Sequence, residues 1–158
     1  LLEPQAPRHA PPEHTAAGKD SAVAGLGRDH ITPSSTVTLA SGLEMPLLGL
    51  GTKQLKHGGE CRDVVRAALR SGYRLIDTAA TYANEEDVGN GIRASGLRRE
   101  DVFLVTKLSP ADHGGEEDVQ EALNASLQRL GTKYIDLYLI QSPRGGCILE
   151  TWSALLSL

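Results

Sequence analysis

The spacing of apolar and polar positions changes along the chain, and each change marks an element. Thr36-Val37-Thr38-Leu39 alternates, Ser41-Gly42 offers a turn, and Leu43-Glu44-Met45 alternates again, which predicts a β-hairpin. The next stretch, Leu47-Leu48-Gly49-Leu50-Gly51, is an apolar run bounded by Pro46 and by Gly58-Gly59. Such a run predicts a strand buried on both faces, as parallel sheets require.

A helical period follows. Cys61, Val64, Val65, Ala68 and Leu69 share one face, Arg62, Arg66 and Arg70 point away, and Gly72 stands where a helix would stop. Arg74-Leu75-Ile76-Asp77 predicts a second strand. The helix after it opens at Asn84, and Glu85, Glu86 and Asp87 crowd its first turn, where unpaired amides and the macrodipole favour negative charge. Val102-Phe103-Leu104-Val105-Thr106 is the third strand of this series. Val119, Leu123, Ser126-Leu127 and Leu130 then line one face of a helix ended by Gly131. Ile135 to Ile140 forms the fourth strand, and Glu150-Thr151-Trp152 begins a fourth helix in which Trp152 and Leu155 are expected to pack.

Strict alternation of strand and helix implies a parallel sheet with right-handed crossovers, either an open doubly wound sheet or a (β/α) barrel. A complete eight-unit barrel takes about 250 residues, roughly 31 per unit. Residues 36–158 therefore match about four βα units. The expected fold is α/β of the (β/α)8 TIM-barrel type, shortened to about four units behind an N-terminal hairpin.

Residues 1–35 lack this periodicity. They hold Pro4, Pro7, Pro11, Pro12 and Pro33 and are expected to form a disordered tail, on which His9, His14 and His30 are solvated rather than metal-bound. The chain begins at Leu1, not Met, and Leu155 to Leu158 lie inside an apolar helical pattern without a stop signal, so both ends read as cut.

Composition narrows the function classes. Of 158 residues, 16 are Lys or Arg and 20 are Asp or Glu, giving a net charge of -4 with no basic cluster, which argues against nucleic acid as a partner. Cys61 and Cys147 match no metal-ligand spacing and read as a core residue and a loop thiol of a reducing compartment. No run of eighteen apolar residues and no secretory h-region appear, so a cytoplasmic protein with no membrane partner is expected.

The candidate chemistry gathers where strands run out. Asp77 ends the second strand, Lys107 the third and Gln141 the fourth, while Tyr82 lies in the loop after Asp77. Strand carboxyl ends and their loops form the active face of barrels. A free tyrosine releases its proton only near a pKa of about 10. An ammonium close to a phenol stabilises the phenolate, and a carboxylate paired to that ammonium holds it in place. Tyr82 with Lys107 and Asp77 could thus donate a proton to a carbonyl oxygen as hydride reaches the carbon, which calls for a hydride-carrying cofactor.

The stretches Met45-Pro46-Leu47-Leu48-Gly49-Leu50-Gly51-Thr52, Gly72-Tyr73-Arg74-Leu75-Ile76-Asp77-Thr78-Ala79, Tyr82-Ala83-Asn84-Glu85, Thr106-Lys107, Ser126-Leu127-Gln128-Arg129-Leu130-Gly131 and Asp136-Leu137-Tyr138-Leu139-Ile140 resemble, in order and spacing, the aldo-keto reductases. That resemblance implies a (β/α)8 barrel that uses NADPH to reduce aldehydes and ketones. It places the family's active-site aspartate, tyrosine and lysine on Asp77, Tyr82 and Lys107. It also implies that Gly51, Thr52 and Lys53 lie near the nicotinamide and that Asp77 touches its ribose side. A glycine at a strand end suits close backbone approach to a ligand. The sequence departs from the family pattern twice. Gln141 stands where a histidine usually orients the carbonyl, and Lys53 stands where an aromatic residue usually walls the pocket.

Two function classes stay open. One is an NADPH-dependent carbonyl reductase, or a partial product of one with weak or no activity alone. The other is a non-catalytic binding or regulatory module of the same fold, its exposed half-barrel edges inviting self-association.

Overall fold

The computed structural model describes residue 32 and residues 34–158. The expected disordered tail, with its three histidines, lies outside the described residues except for Thr32, Ser34 and Ser35. Ser35 already belongs to the fold, because its carbonyl accepts from Leu47 N at 2.9 Å.

The hairpin forms as its alternation predicts. Strands β1 (Thr36–Thr38) and β2 (Glu44–Pro46) pair antiparallel with Val37 opposite Met45. The turn closes through Leu39 N to Leu43 O and Gly42 N to Leu39 O, both 2.8 Å. Hydroxyls of Thr36 and Thr38 both donate to Glu44, and these bonds hold its carboxyl below the usual range.

A four-stranded parallel sheet follows: β3 (Gly49–Gly51), β4 (Leu75–Asp77), β5 (Phe103–Leu108) and β6 (Leu137–Ile140), lying side by side in chain order. Helices α1 (Glu60–Arg70), α2 (Glu85–Ser95) and α3 (Glu116–Leu130) cross between successive strands, and α4 (Ile148–Leu156) follows β6. A doubly wound sheet must reverse its strand order at a switch point. Here the order never reverses, so right-handed crossovers stack every helix on the same face, as in a barrel.

One face of the sheet is therefore core. Ile76 and Leu104 pack with Cys61, Val65 and Leu69 of α1 and Val88 and Ile92 of α2. Leu108 packs with Val119 of α3 and Ala154 of α4. The side-chain period of two sends the intervening residues, Gly51, Asp77, Val105, Lys107 and Leu139, to the opposite face.

That second face corrects the expectation for residues 47–51. The strand is shorter, and only Leu50 packs against the core, while Leu47 and Leu48 are 46% and 38% exposed. The cause is position: β3 is an edge strand, and its outer face has little cover among the described residues. Trp152 corrects another expectation, since α4 packs through Thr151, Ala154 and Leu155 and leaves the indole 55% exposed.

The helices approach closely where glycine allows it. A Cβ at Gly89 of α2 would fall 2.0 Å from the Leu130 carbonyl oxygen, and one at Gly91 would fall 2.8 Å from Arg62 O. These residues lower helix propensity, yet they let α2 sit against both of its neighbours.

Candidate active site

Each predicted site residue arrives at the carboxyl end of its strand. Asp77 closes β4 opposite Gly51 and Val105. Lys107 lies two residues beyond Val105 on the same open face. The ladder runs on past the strands through Thr78 N to Val105 O at 2.9 Å and Gln141 N to Leu108 O at 3.1 Å. Those bonds fix the loop starts that carry Tyr82 and Gln141.

Lys107 is the centre of the arrangement. Its Nζ donates to Asp77 Oδ1 at 2.6 Å and to the Thr78 carbonyl at 2.9 Å. The same ammonium lies over the Tyr82 ring, 5.2 Å from the centroid, within range for a cation on a π face. Its side chain is 15% exposed against 34% for Asp77, so the pair is sheltered yet open on the carboxylate side. Tyr82 reaches this place because the chain leaves β4 in a single 3-10 turn, Ala80–Tyr82. Ala83 then adopts φ 54, a left-handed conformation uncommon for a residue with a Cβ.

Gln141 joins the group through a neighbour of the tyrosine. Thr81 Oγ1 donates to Gln141 Oε1 at 2.8 Å, so the carbonyl side of the amide is occupied and its NH2 side is left to donate. Gly51 has open space where a Cβ would stand, which leaves room for a ligand against the backbone beside Asp77. Lys53 is exposed at the same strand end. Thr52 is fully buried, and both its amide and its hydroxyl donate to Asp77 O, at 2.9 and 3.2 Å. Its carbonyl accepts from Asn84 Nδ2 at 2.9 Å and from Leu55 N at 3.1 Å, so both its side chain and its backbone tie β3 to its neighbours from within the fold.

Several residues in this architecture escape sequence reasoning. Asn84 holds the N-cap position of α2, yet its side chain makes no capping bond. Instead Nδ2 donates to Thr52 O at 2.9 Å and Leu55 O at 3.0 Å, and Oδ1 accepts from Thr78 Oγ1 at 3.2 Å. Glu85, read from the sequence as an acid suited to a helix N-terminus, is 1% exposed. Its carboxylate accepts from Thr106 Oγ1 and Arg129 Nε, each at 2.7 Å, and so joins α2, β5 and α3 behind Lys107. Asn84 and Glu85 both lie in the Tyr82-Ala83-Asn84-Glu85 stretch that resembles the family, but on their own pattern they read as an ordinary polar helix start.

At the opposite ends of the strands, Arg99 and Asp136 pair at 2.7 Å, and the Arg99 guanidinium stacks 4.1 Å from the Tyr134 centroid. That cluster faces away from the strand ends that carry Lys107 and belongs to the scaffold. Among the described residues no group of three or more His, Cys, Asp and Glu could hold a metal ion, and no helix is long and apolar enough to cross a membrane.

Comparison with known proteins yields a consistent match. The family model described as Aldo/keto reductase family matches residues 47–158. Glyoxal reductase of Bacillus subtilis (strain 168) is 47% identical over 120 residues, which cover 76% of this chain and 43% of that protein. The crystal structure of an aldo/keto reductase from Brucella melitensis superposes with a TM-score of 0.72 at 45% identity, over 78% of this chain and 48% of that one. A Bombyx mori aldo-keto reductase solved in complex with NADP superposes with a TM-score of 0.68 at 38% identity, over 78% and 46%. The chain spans less than half the length of the curated relatives it matches.

Proposed function

The chain belongs to the aldo/keto reductase family, and from that premise we propose that it carries the proton-donating half of a reductase that turns aldehydes or ketones into alcohols with NADPH. The observation that supports this most directly is Lys107, held by Asp77 and lying over the Tyr82 ring. The residues fit a nicotinamide cofactor: Gly51 leaves open space beside Asp77, and Lys53 stands exposed next to it. Gly51, Lys53 and Asp77 would hold its nicotinamide and ribose end, with the buried Thr52 bracing the Asp77 backbone behind them. When bound, the cofactor supplies a hydride, which brings both electrons to the carbonyl carbon.

The chain's own groups would handle the oxygen. Tyr82 gives its hydroxyl proton to the carbonyl oxygen as negative charge builds there. The Lys107 ammonium stabilises the phenolate left behind, and Asp77 keeps that ammonium from turning to solvent. Gln141 offers an amide N–H to the same oxygen. Because an amide does not titrate near neutral pH, Gln141 positions the substrate without relaying a proton. The test is oxidation of NADPH by the 158-residue chain across a panel of aldehydes, run beside Tyr82→Phe. Aldehyde-dependent oxidation that disappears in the variant is expected, and equal rates in both would overturn the reading.

A second reading is favoured by two features: Gln141 in the histidine's usual place, and the open face on which Leu139 is 37% exposed. The chain would then act as a binding module of this family, associating through the open edges of β3 and β6. Retained carbonyl-independent binding with no turnover would support it.

A further inference from the structure

We propose that Asn84 is a positioning residue for the proton donor, setting where the Lys107 ammonium lies relative to the Tyr82 ring; the inference rests on the reductase reading above and adds a residue to it. Asn84 is 1% exposed. Both amide hydrogens are used, on Thr52 O and Leu55 O, and its carbonyl accepts from Thr78 Oγ1. An asparagine at an N-cap normally accepts from the first free amides of its own helix. This one leaves those amides without a side-chain cap and spends its hydrogen bonds on two loops. The helix start thus forgoes its usual support in favour of loop geometry.

Those loops are the ones that matter to Lys107. Thr52, anchored by Asn84 through its carbonyl, donates twice to the Asp77 carbonyl. Thr78, which donates its hydroxyl to Asn84, accepts from Lys107 Nζ through its own carbonyl. Of the ammonium's two partners, Thr78 is bonded to the Asn84 amide directly and Asp77 is reached through Thr52. Both segments also contain a left-handed residue other than glycine. Gln54, φ 71, lies between the two carbonyls that Asn84 holds, and Ala83, φ 54, lies between Tyr82 and Asn84. Conformations of this kind persist only when the surroundings enforce them. Asn84 Nδ2 holds the carbonyls on either side of Gln54, and Ala83 joins Tyr82 directly to Asn84.

The experiment uses the 158-residue chain labelled with 3-fluorotyrosine, with the Tyr82 resonance assigned through Tyr82→Phe. Asn84→Asp keeps an acceptor for Thr78 and removes both donations, and Val65→Ala in the core provides loss of stability without touching the network. Asn84→Asp is expected to displace or broaden the Tyr82 fluorine resonance while leaving Tyr134 in place. It is also expected to lower the kcat for aldehyde reduction on the order of 10- to 100-fold through misplacement, as small geometric errors do. Its KM for aldehyde should stay within about threefold, since the lost contact acts on chemistry rather than on uniform binding. Val65→Ala should lower the Tm while changing neither readout. If Asn84→Asp does not fold, Thr78→Val cuts the hydroxyl link alone, and a smaller displacement of the same resonance is expected. A Tyr82 resonance in these variants that matches Val65→Ala would overturn the proposal. If the parent chain shows no aldehyde reduction, the reductase reading fails by itself, and the fluorine resonance still decides whether Asn84 positions Tyr82.

Discussion

Asp77 and Lys107 stand on neighbouring parallel strands, two residues out of register, and their side chains meet at 2.6 Å on the open face of the sheet. An offset of two preserves the face, where an offset of one would have sent the lysine into the helix layer. If the proposed reductase reading holds, Lys107→Met lowers aldehyde-dependent NADPH oxidation by about 10²–10⁴, the usual worth of assisted proton transfer. Stability should fall by only about 1–2 kcal/mol in urea unfolding, because Asp77 is 34% exposed and water screens the charge left behind.

Glu85 presents the opposite balance. It is buried behind the site, with Arg129 and Thr106 as partners. Glu85→Ala should cost about 3 kcal/mol by urea unfolding, at the low end for breaking a buried ion pair because Arg129 itself is 44% exposed. Restored stability in Glu85→Gln to within about 1 kcal/mol would show that hydrogen bonding, not charge, carries the contribution.

Burial raises the Cys61 thiol from 9.0 to about 11, with Asp87 and Glu60 adding to the effect. The folded chain therefore holds its proton where the unfolded chain releases it. The Cys61 contribution to stability is complete below pH 9 and is lost as pH rises towards 11, by about 2–3 kcal/mol across that window. Urea unfolding at pH 8 and pH 10.5 should show this loss in the parent and a smaller one in Cys61→Ala. Thiol labelling of the folded chain at pH 8 should modify the exposed Cys147 first.

Gly89→Ala separates local preference from packing. Alanine favours a helix over glycine by about 1 kcal/mol. A Cβ here would meet the Leu130 backbone carbonyl at 2.0 Å, so α2 and α3 must move apart. The expected result is a net loss of at least about 2 kcal/mol in urea unfolding, in the range for overpacking.

The proposed association through open sheet edges predicts that sedimentation velocity will detect dimers that grow with protein concentration. Leu139→Lys, which places a charge on the exposed face beside the β6 edge, should shift the distribution to monomer.

Local pattern by itself determined much of this protein. Periods of two and of about 3.6 located the hairpin, four strands and four helices, because each period is set by backbone geometry alone. The placement of Asp77, Lys107 and Gln141 at strand ends was legible for the same reason, and the β-α alternation implied a parallel sheet. Tertiary structure decided what alternation could not. It fixed the unreversed strand order, and so the barrel-type winding, because that choice depends on which strands meet. It exposed Leu47, Leu48 and Trp152, since burial depends on what lies opposite and no residue carries that information. It took Asn84 and Glu85 from a helix start into buried networks, because a polar group's partners come from distant segments that fold beside it. The same logic explains Gly89 and Gly91, whose value is the closeness of other backbones.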